Sequence, residues 1–315
     1  MDQLLQVLII GLANGLIFAL VALGYTLVYG IIELINFAHG DVFMLGSMLA
    51  FFLIAPASSG GWGIFPISVD TPLPLLVAQI LVILAICMTA MAVINAAIER
   101  VAYRPLRHAP KVAPLISAIG MSYVLQNIGL VWGGAYQRTI DSPFPNTNLL
   151  EPLGITAIQI SPAQVFVGAV TIPLLIALSW FVARTRQGKA MRATAQDPDT
   201  AGLMGVDVNR TIAITFLIGG GLAGAAGVAQ MLYNNYTVYT LGFRFGLNSF
   251  TAAVLGGIGN LQGAVLGALI IGEVNALSDR YLSPNWTQAI VFGVLIAILV
   301  FRPTGLLGQQ LADRA

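Results

Sequence analysis

Residues 24–46 read "GYTLVYGIIELINFAHGDVFMLG", and the six at 36–41, "NFAHGD", set the terms on which the chain can fold. They stand between the apolar runs "YTLVYGIIELI" and "VFMLGSMLAFFLIA". A charged side chain at the centre of a bilayer costs about 2.5–3.5 kcal/mol on insertion scales. Lipid exposure of Glu33, His39 and Asp41 is therefore excluded. Two placements remain: a turn at the interface between two spans, or an unwound section facing the interior of a helical bundle. The run at 42–55 has only 14 residues, short for a span that needs about 20. Extending that helix back through "IIELINFAHG" gives it adequate length and draws Asn36, His39 and Asp41 into the membrane. There they would form a polar hinge that satisfies its own unwound backbone.

The composition agrees with a membrane setting. Of 315 residues, 57% are apolar and 9% charged, with a mean hydropathy of +0.87, against about 25% charged in soluble domains. A soluble fold could not cover its surface with so few charges. The net charge of +1 offers no field to attract nucleic acid. The single cysteine, Cys87, lies inside an apolar run, so no disulfide framework or paired-cysteine metal site can form within the chain. The first run, Leu4 to Tyr29, is too long for a signal-peptide core and is expected to stay as a spanning helix.

The spans are expected near 4–29, 42–55 with the broken stretch before it, 73–98, 112–133, 163–183, 211–232 and 286–301. An eighth region, 248–278, is apolar but broken by glycines. The predicted fold class is all-α, a polytopic transmembrane bundle of about eight spans including broken or re-entrant helices, forming one transmembrane domain over 1–315. Basic residues orient it, since short cytoplasmic loops collect them. Arg100, Arg104, Arg107 and Lys111, then Arg184, Arg186, Lys189, Arg192 and Arg210, then Arg302 and Arg314, make eleven of the 14. Counting back places the N-terminus outside, with the loops 56–72 and 134–162. Counting forward leaves Arg302 on the wrong side unless 248–258 descends as a half-helix, turns at Gly256, Gly257, Gly259 and Asn260, and returns as 262–278. The alternative is that these glycines only let helices pack closely.

The polar residues do not make a recognisable catalytic set. A metal wants three or four ligands, and the only other histidine, His108, sits in a basic loop. No serine-nucleophile motif is present, and "GKA" at 188–190 lacks the earlier glycine and the serine or threonine of a Walker motif. The chain is thus read as binding no ATP, metal or cofactor by itself. In the segment 184–210, Asp197 can cap a helix with Pro198 at its first position and Asp199 in its first turn. "TAGLMG" then presents Ala201, Leu203 and Met204 and closes on Gly205. A short capped helix of this kind invites a partner with a groove, or else lies on the lipid headgroups.

Four stretches taken together resemble a known family: Gly24 to Gly46, "AMRATAQDPDTAGLMGVDV" at 190–208, "FTAAVLGGIGNLQGAVLGALIIG" at 250–272, and "FRPTGLLG" at 301–308. They are similar to the LivH type of permease subunit in bacterial ABC importers for branched-chain and other neutral amino acids. The resemblance implies an inner-membrane permease, not an enzyme, that pairs with a LivM-like second permease subunit, two cytoplasmic ATPases and a periplasmic binding protein. It also implies that Ala195 to Gly205 is the coupling helix seated in an ATPase groove. Related permeases carry urea, short amides and other small solutes. Alternating access is the expected mechanism, with Asn36, His39 and Asp41, and then Gly256, Gly257, Gly259 and Asn260, as the substrate pathway. The loop 134–162 is long enough to receive the binding protein. An ion-coupled transporter using Asp41, Glu33 or Glu273, and a membrane enzyme with His39 and Asp41 as acid and base, are the rival readings.

Overall fold

The computed structural model describes residues 2–107, 109–110, 112–153, 158–302 and 304–308. The sequence readings on His108, Lys111 and Arg314 lie outside the described residues. Among those described, eleven α-helices dominate: α1 (Asp2–Ile32), α2 (His39–Ile54), α3 (Leu73–Ile98), α4 (Val112–Gly133), α5 (Pro162–Arg184), α6 (Arg186–Gln196), α7 (Pro198–Leu203), α8 (Val208–Asn234), α9 (Leu241–Gly256), α10 (Leu261–Tyr281) and α11 (Pro284–Phe301). Seven are long and apolar enough to cross a membrane, and α2 is a shorter apolar helix. The chain is a polytopic helical membrane protein.

The helices sort into two shells by what covers their apolar faces. Most of α1 and α8 is buried, whereas α3, α4, α5 and α11 leave most of their apolar side chains uncovered. Val131 is 88% exposed, and Ile116, Trp180 and Ile296 are likewise uncovered. In water such a surface would aggregate, and in a bilayer it is the lipid-facing wall. A helix apolar all round belongs in the interior, which is where α1, α2 and α8 lie, with α9 and α10 against them.

Close packing replaces the hydrophobic effect as the glue between these helices, because lipid is as apolar as leucine. At the α3–α8 contact, a Cβ on Gly224 would lie 2.5 Å from the Cys87 carbonyl oxygen and 2.9 Å from the Met88 Cα. At one end of the bundle Phe52 stacks on Trp132 with centroids 4.8 Å apart, and Trp62 tilts against both, as aromatic residues at a membrane interface do. Beside this cluster β1 (Arg138–Thr139) pairs antiparallel with β2 (Tyr236–Thr237), tying the segment after α4 to the segment after α8. The other end carries the basic segments.

Three boundaries differ from the sequence reading. The second helix does not run back through 31–38: α1 stays helical to Ile32, Glu33 turns the chain with φ 52°, and α2 starts at His39. Nothing in "GLIFALVALGYTLVYGII" breaks a helix, so α1 runs to 31 residues and α2 keeps only 16. The half-helix expected at 248–258 is α9, which starts at Leu241. Arg244 is outward and exposed while Gly242 and Phe245 are buried, so one charge does not stop the helix. Finally, α3 does not end in a loop at 99 but continues through a π-helical turn, Glu99–Tyr103, and a 3-10 turn, Arg104–Leu106.

Gly224→Ala overpacks the α3–α8 contact and is expected to cost about 1–3 kcal/mol, lowering the thermal unfolding midpoint in detergent. Gly120→Ala, where a Cβ would meet nothing within 4 Å, should leave that midpoint unchanged.

Candidate functional site

The break between α1 and α2 is buried in protein. Asn36 is 1% exposed, His39 0% and Asp41 1%. The His39 imidazole packs on Gly24 and meets Tyr25 edge to face, centroids 4.9 Å apart. Gly24 lies eight residues before the end of α1, about 12 Å along its axis. Asp41 Oδ2 accepts a 2.5 Å hydrogen bond from the Ser122 hydroxyl, ten residues into α4. The chain thus turns at the end of α1, climbs back along it, and begins α2 well inside the bundle. Irregular backbone at that depth is tolerated where protein or a wet cavity surrounds it.

Side-chain amides hold the break in place. Asn36 Nδ2 donates to Asn95 Oδ1 at 3.3 Å, and Asn95 Nδ2 donates to the Phe216 carbonyl of α8 at 2.6 Å. The Tyr103 hydroxyl, on the π-helical turn, reaches Asn36 Oδ1 at 3.1 Å and the Ile35 carbonyl at 3.4 Å. α1, α2, α3 and α8 are therefore joined at one polar knot, each bond strengthened by the low dielectric around it.

Next to the knot lies a cavity of about 400 Å³. Its wall combines Tyr25, Ser122 and Gln126 with Phe37, Gly242, Phe243 and Phe250. Gln126 Nε2 donates to Ser122 Oγ at 3.2 Å. The first turn of α9 forms the partition behind it: a Cβ on Gly242 would lie 2.7 Å from Asp41 Oδ1, and one on Gly246 would lie 3.0 Å from the Tyr25 hydroxyl oxygen. Sequence reasoning found Asp41 but missed Ser122, Gln126, Tyr25 and Gly242. Ser122 and Gln126 are four apart in "SYVLQ", a polar pair on one face of a largely apolar helix, and that spacing was the available signal.

Gly256, Gly257, Gly259 and Asn260 are placed elsewhere. The turn packs on the segment after α11: Leu306 N donates to the Leu255 carbonyl at 2.8 Å, and Leu307 N to the Gly256 carbonyl at 3.0 Å. Asn260 caps α10 through Gln262 N and Gly263 N, and its Nδ2 donates to the Leu307 carbonyl at 2.8 Å. Gly257 has φ 102°, which a side chain would strain. Gly259 approaches Gly30 near the end of α1. The four residues do not line the cavity; they lie at the bundle end that carries α6.

The segment 184–210 folds as α6 and α7. Asp197 Oδ1 accepts from Asp199 N at 3.0 Å and from Thr200 N at 3.2 Å, with Pro198 at the first helical position. Val206 N bonds the Ala201 carbonyl and Gly205 N the Gly202 carbonyl, a Schellman ending with Gly205 at φ 86°. Leu203 and Met204 are 88% and 80% exposed, Ala195 is half-buried, and Ala201 is buried against the body, so Ala201 is not presented outward. Beyond α7, Asn209 accepts from Arg107 at 2.5 Å, and Arg107 also pairs with Glu99. Glu99 opens the turn whose Tyr103 holds Asn36. Among the described residues no group of three or more His, Cys, Asp or Glu side chains is placed to hold a metal ion.

A bundle of spanning helices with a broken, protein-enclosed helix start beside a cavity is the architecture of a membrane transport protein. More narrowly, the chain belongs to the family described as branched-chain amino acid transport system / permease component, whose profile matches residues 7–299. It is 40% identical to the high-affinity branched-chain amino acid transport system permease protein BraD of Pseudomonas aeruginosa, over 98% of this chain and 97% of the relative. It is 39% identical to the corresponding permease protein LivH of Escherichia coli K12, with the same coverage. A probable LivH of Methanocaldococcus jannaschii is 28% identical over 92% of this chain and 88% of the relative. No solved structure matches the chain.

Asn95→Ala leaves the Asn36 amide and the Phe216 carbonyl short of a buried partner and is expected to cost about 1–3 kcal/mol. Thermal unfolding should show it, and hydrogen exchange at 33–38 should accelerate. Tyr103→Phe, which leaves the Asn36–Asn95 bond in place, should cost less.

Proposed function

We propose that this chain is the permease subunit of an ATP-driven importer that moves branched-chain and other neutral amino acids by alternating access. The observation that carries the reading is the match to BraD and LivH, 39–40% identical over nearly the whole of both chains. An apolar cavity wall of Phe37, Ile119, Phe243, Leu247 and Phe250 suits an aliphatic side chain. The partners in this reading are a LivM-like second permease subunit, two cytoplasmic ATPases and a periplasmic binding protein, all in the bacterial inner membrane. The basic end faces the cytoplasm, with the N-terminus periplasmic and the C-terminus cytoplasmic, in keeping with the positive-inside rule. The loop at 134–162 then faces the binding protein.

In this scheme Ala195, Asp197, Pro198, Asp199, Ala201, Leu203, Met204 and Gly205 form the coupling segment. Leu203 and Met204 are the side chains that enter the ATPase groove, and buried Ala201 seats the helix on the permease. Closure of the ATPases on ATP moves α7, and Arg107 passes that motion from Asn209 to the turn that holds Asn36. The pathway runs past Asn36, His39 and Asp41 in the bundle and leaves beside Gly256, Gly257, Gly259 and Asn260 at the cytoplasmic end. The spans act as two-state elements biased by nucleotide.

Reconstitution with the ATPases and the binding protein should give leucine uptake that requires ATP. Uptake driven by an ion gradient in vesicles holding this chain alone would contradict the scheme. Replacing both Leu203 and Met204 with aspartate should abolish co-purification of the ATPase while the spans remain inserted. Retained co-purification would remove the coupling assignment.

A further inference from the structure

Asp41 is a carboxyl group with no cation beside it. It is 1% exposed, no ion pair reaches it among the described residues, and its Oδ1 has no hydrogen-bond partner. The other oxygen is held by Ser122. A carboxyl group placed so far inside a membrane protein is costly to ionise without a cation, and marks a site whose partner arrives with function. What stands between Oδ1 and the cavity is Gly242 on the first turn of α9, a residue with no side chain to move aside. Gly246, one turn on, opens the same partition toward Gly40 and the Tyr25 hydroxyl. A small shift of α9 therefore exposes the carboxylate to the cavity, while any larger residue at 242 would sit on its free oxygen.

We propose that Asp41 is the binding group for the α-ammonium of the amino acid in transit, and so the residue that requires the solute to carry a primary ammonium. This rests on the amino-acid importer reading above and adds to it the group that is recognised. The ammonium end of the zwitterion places a positive charge directly on the carboxyl and favours its ionised form, its N–H donors pair with Oδ1, and Ser122, steadied by Gln126, keeps Oδ2 occupied so that the free oxygen faces α9. The aliphatic side chain then lies along Phe37, Phe243 and Phe250. A solute of the same carbon skeleton without the ammonium leaves the carboxylate unpaired in the bundle, and is rejected for that reason.

The test uses the assembled importer in proteoliposomes with its binding protein, and reads leucine uptake beside ATP hydrolysis. Asp41→Asn keeps the shape and removes the charge. Uptake should fall at least tenfold while the importer still assembles and its unfolding midpoint does not fall, and Asp41→Glu should restore part of it. Uptake by Asp41→Asn within twofold of the native importer would overturn the assignment. A second measurement needs no variant: labelling of Asp41 in the native complex by an apolar carbodiimide, followed by peptide mass spectrometry. Leucine and 3-methylbutan-1-amine should slow labelling at least fivefold, and 4-methyl-2-oxopentanoate should not. Equal labelling with and without leucine, or protection by the oxo acid, would overturn it. A native importer that moves no leucine with ATP present would instead sink the amino-acid reading itself.

Discussion

A carboxylate, an imidazole and an asparagine amide cannot be left in hydrocarbon, and the folding of this chain follows from keeping them out of it. Each is enclosed by protein: His39 against Gly24 and Tyr25, Asn36 between Asn95 and Tyr103, Asp41 against Ser122. Enclosure requires neighbours on every side, and α1, α3, α4, α8 and α9 are drawn around the start of α2 to provide them. The helices that do not meet this demand, such as α5 and α11, form the lipid-facing shell.

The same constraint links the site to the ends of the bundle. Because Asn36 is tied to Asn95 and Tyr103, moving the broken backbone either carries the end of α3 with it or breaks these buried bonds. That end is tied through Glu99 and Arg107 to Asn209, five residues beyond Met204. Buried polar bonds are worth most when complete, so the knot favours discrete arrangements over gradual bending. A two-state element of this sort is what an alternating-access scheme needs at its centre.

Much of this was legible in the residues, for definable reasons. Six of the seven spans follow from hydropathy because the bilayer imposes a length; the seventh, Leu261–Tyr281, lies in the stretch read as broken by glycines, and 42–55 is the shorter helix α2. The Asp197 cap and the Gly205 stop follow from local backbone chemistry, and both occur. The start of α2 was not legible, since the apolar run of α1 carries no signal that it continues to Ile32 and then doubles back. The same holds for α9, whose first turn carries the charge of Arg244 beside Gly242 and Phe245, and only packing turns those two inward. The cavity was least legible of all: Ser122, Gln126 and Gly242 come from α4 and α9, far apart in sequence, and only tertiary packing brings them beside Asp41.

If polar backbone lies deep in the membrane because a passage through protein surrounds it, that backbone meets water in one state of the transport cycle and not in the other. The most direct measurement is aqueous thiol labelling of Asn36→Cys and Phe37→Cys, one at a time, in the assembled importer with Cys87 replaced by alanine. Labelling rates should change at least tenfold between the nucleotide-free and ATP-bound states. Constant protection at both positions in every state would contradict it.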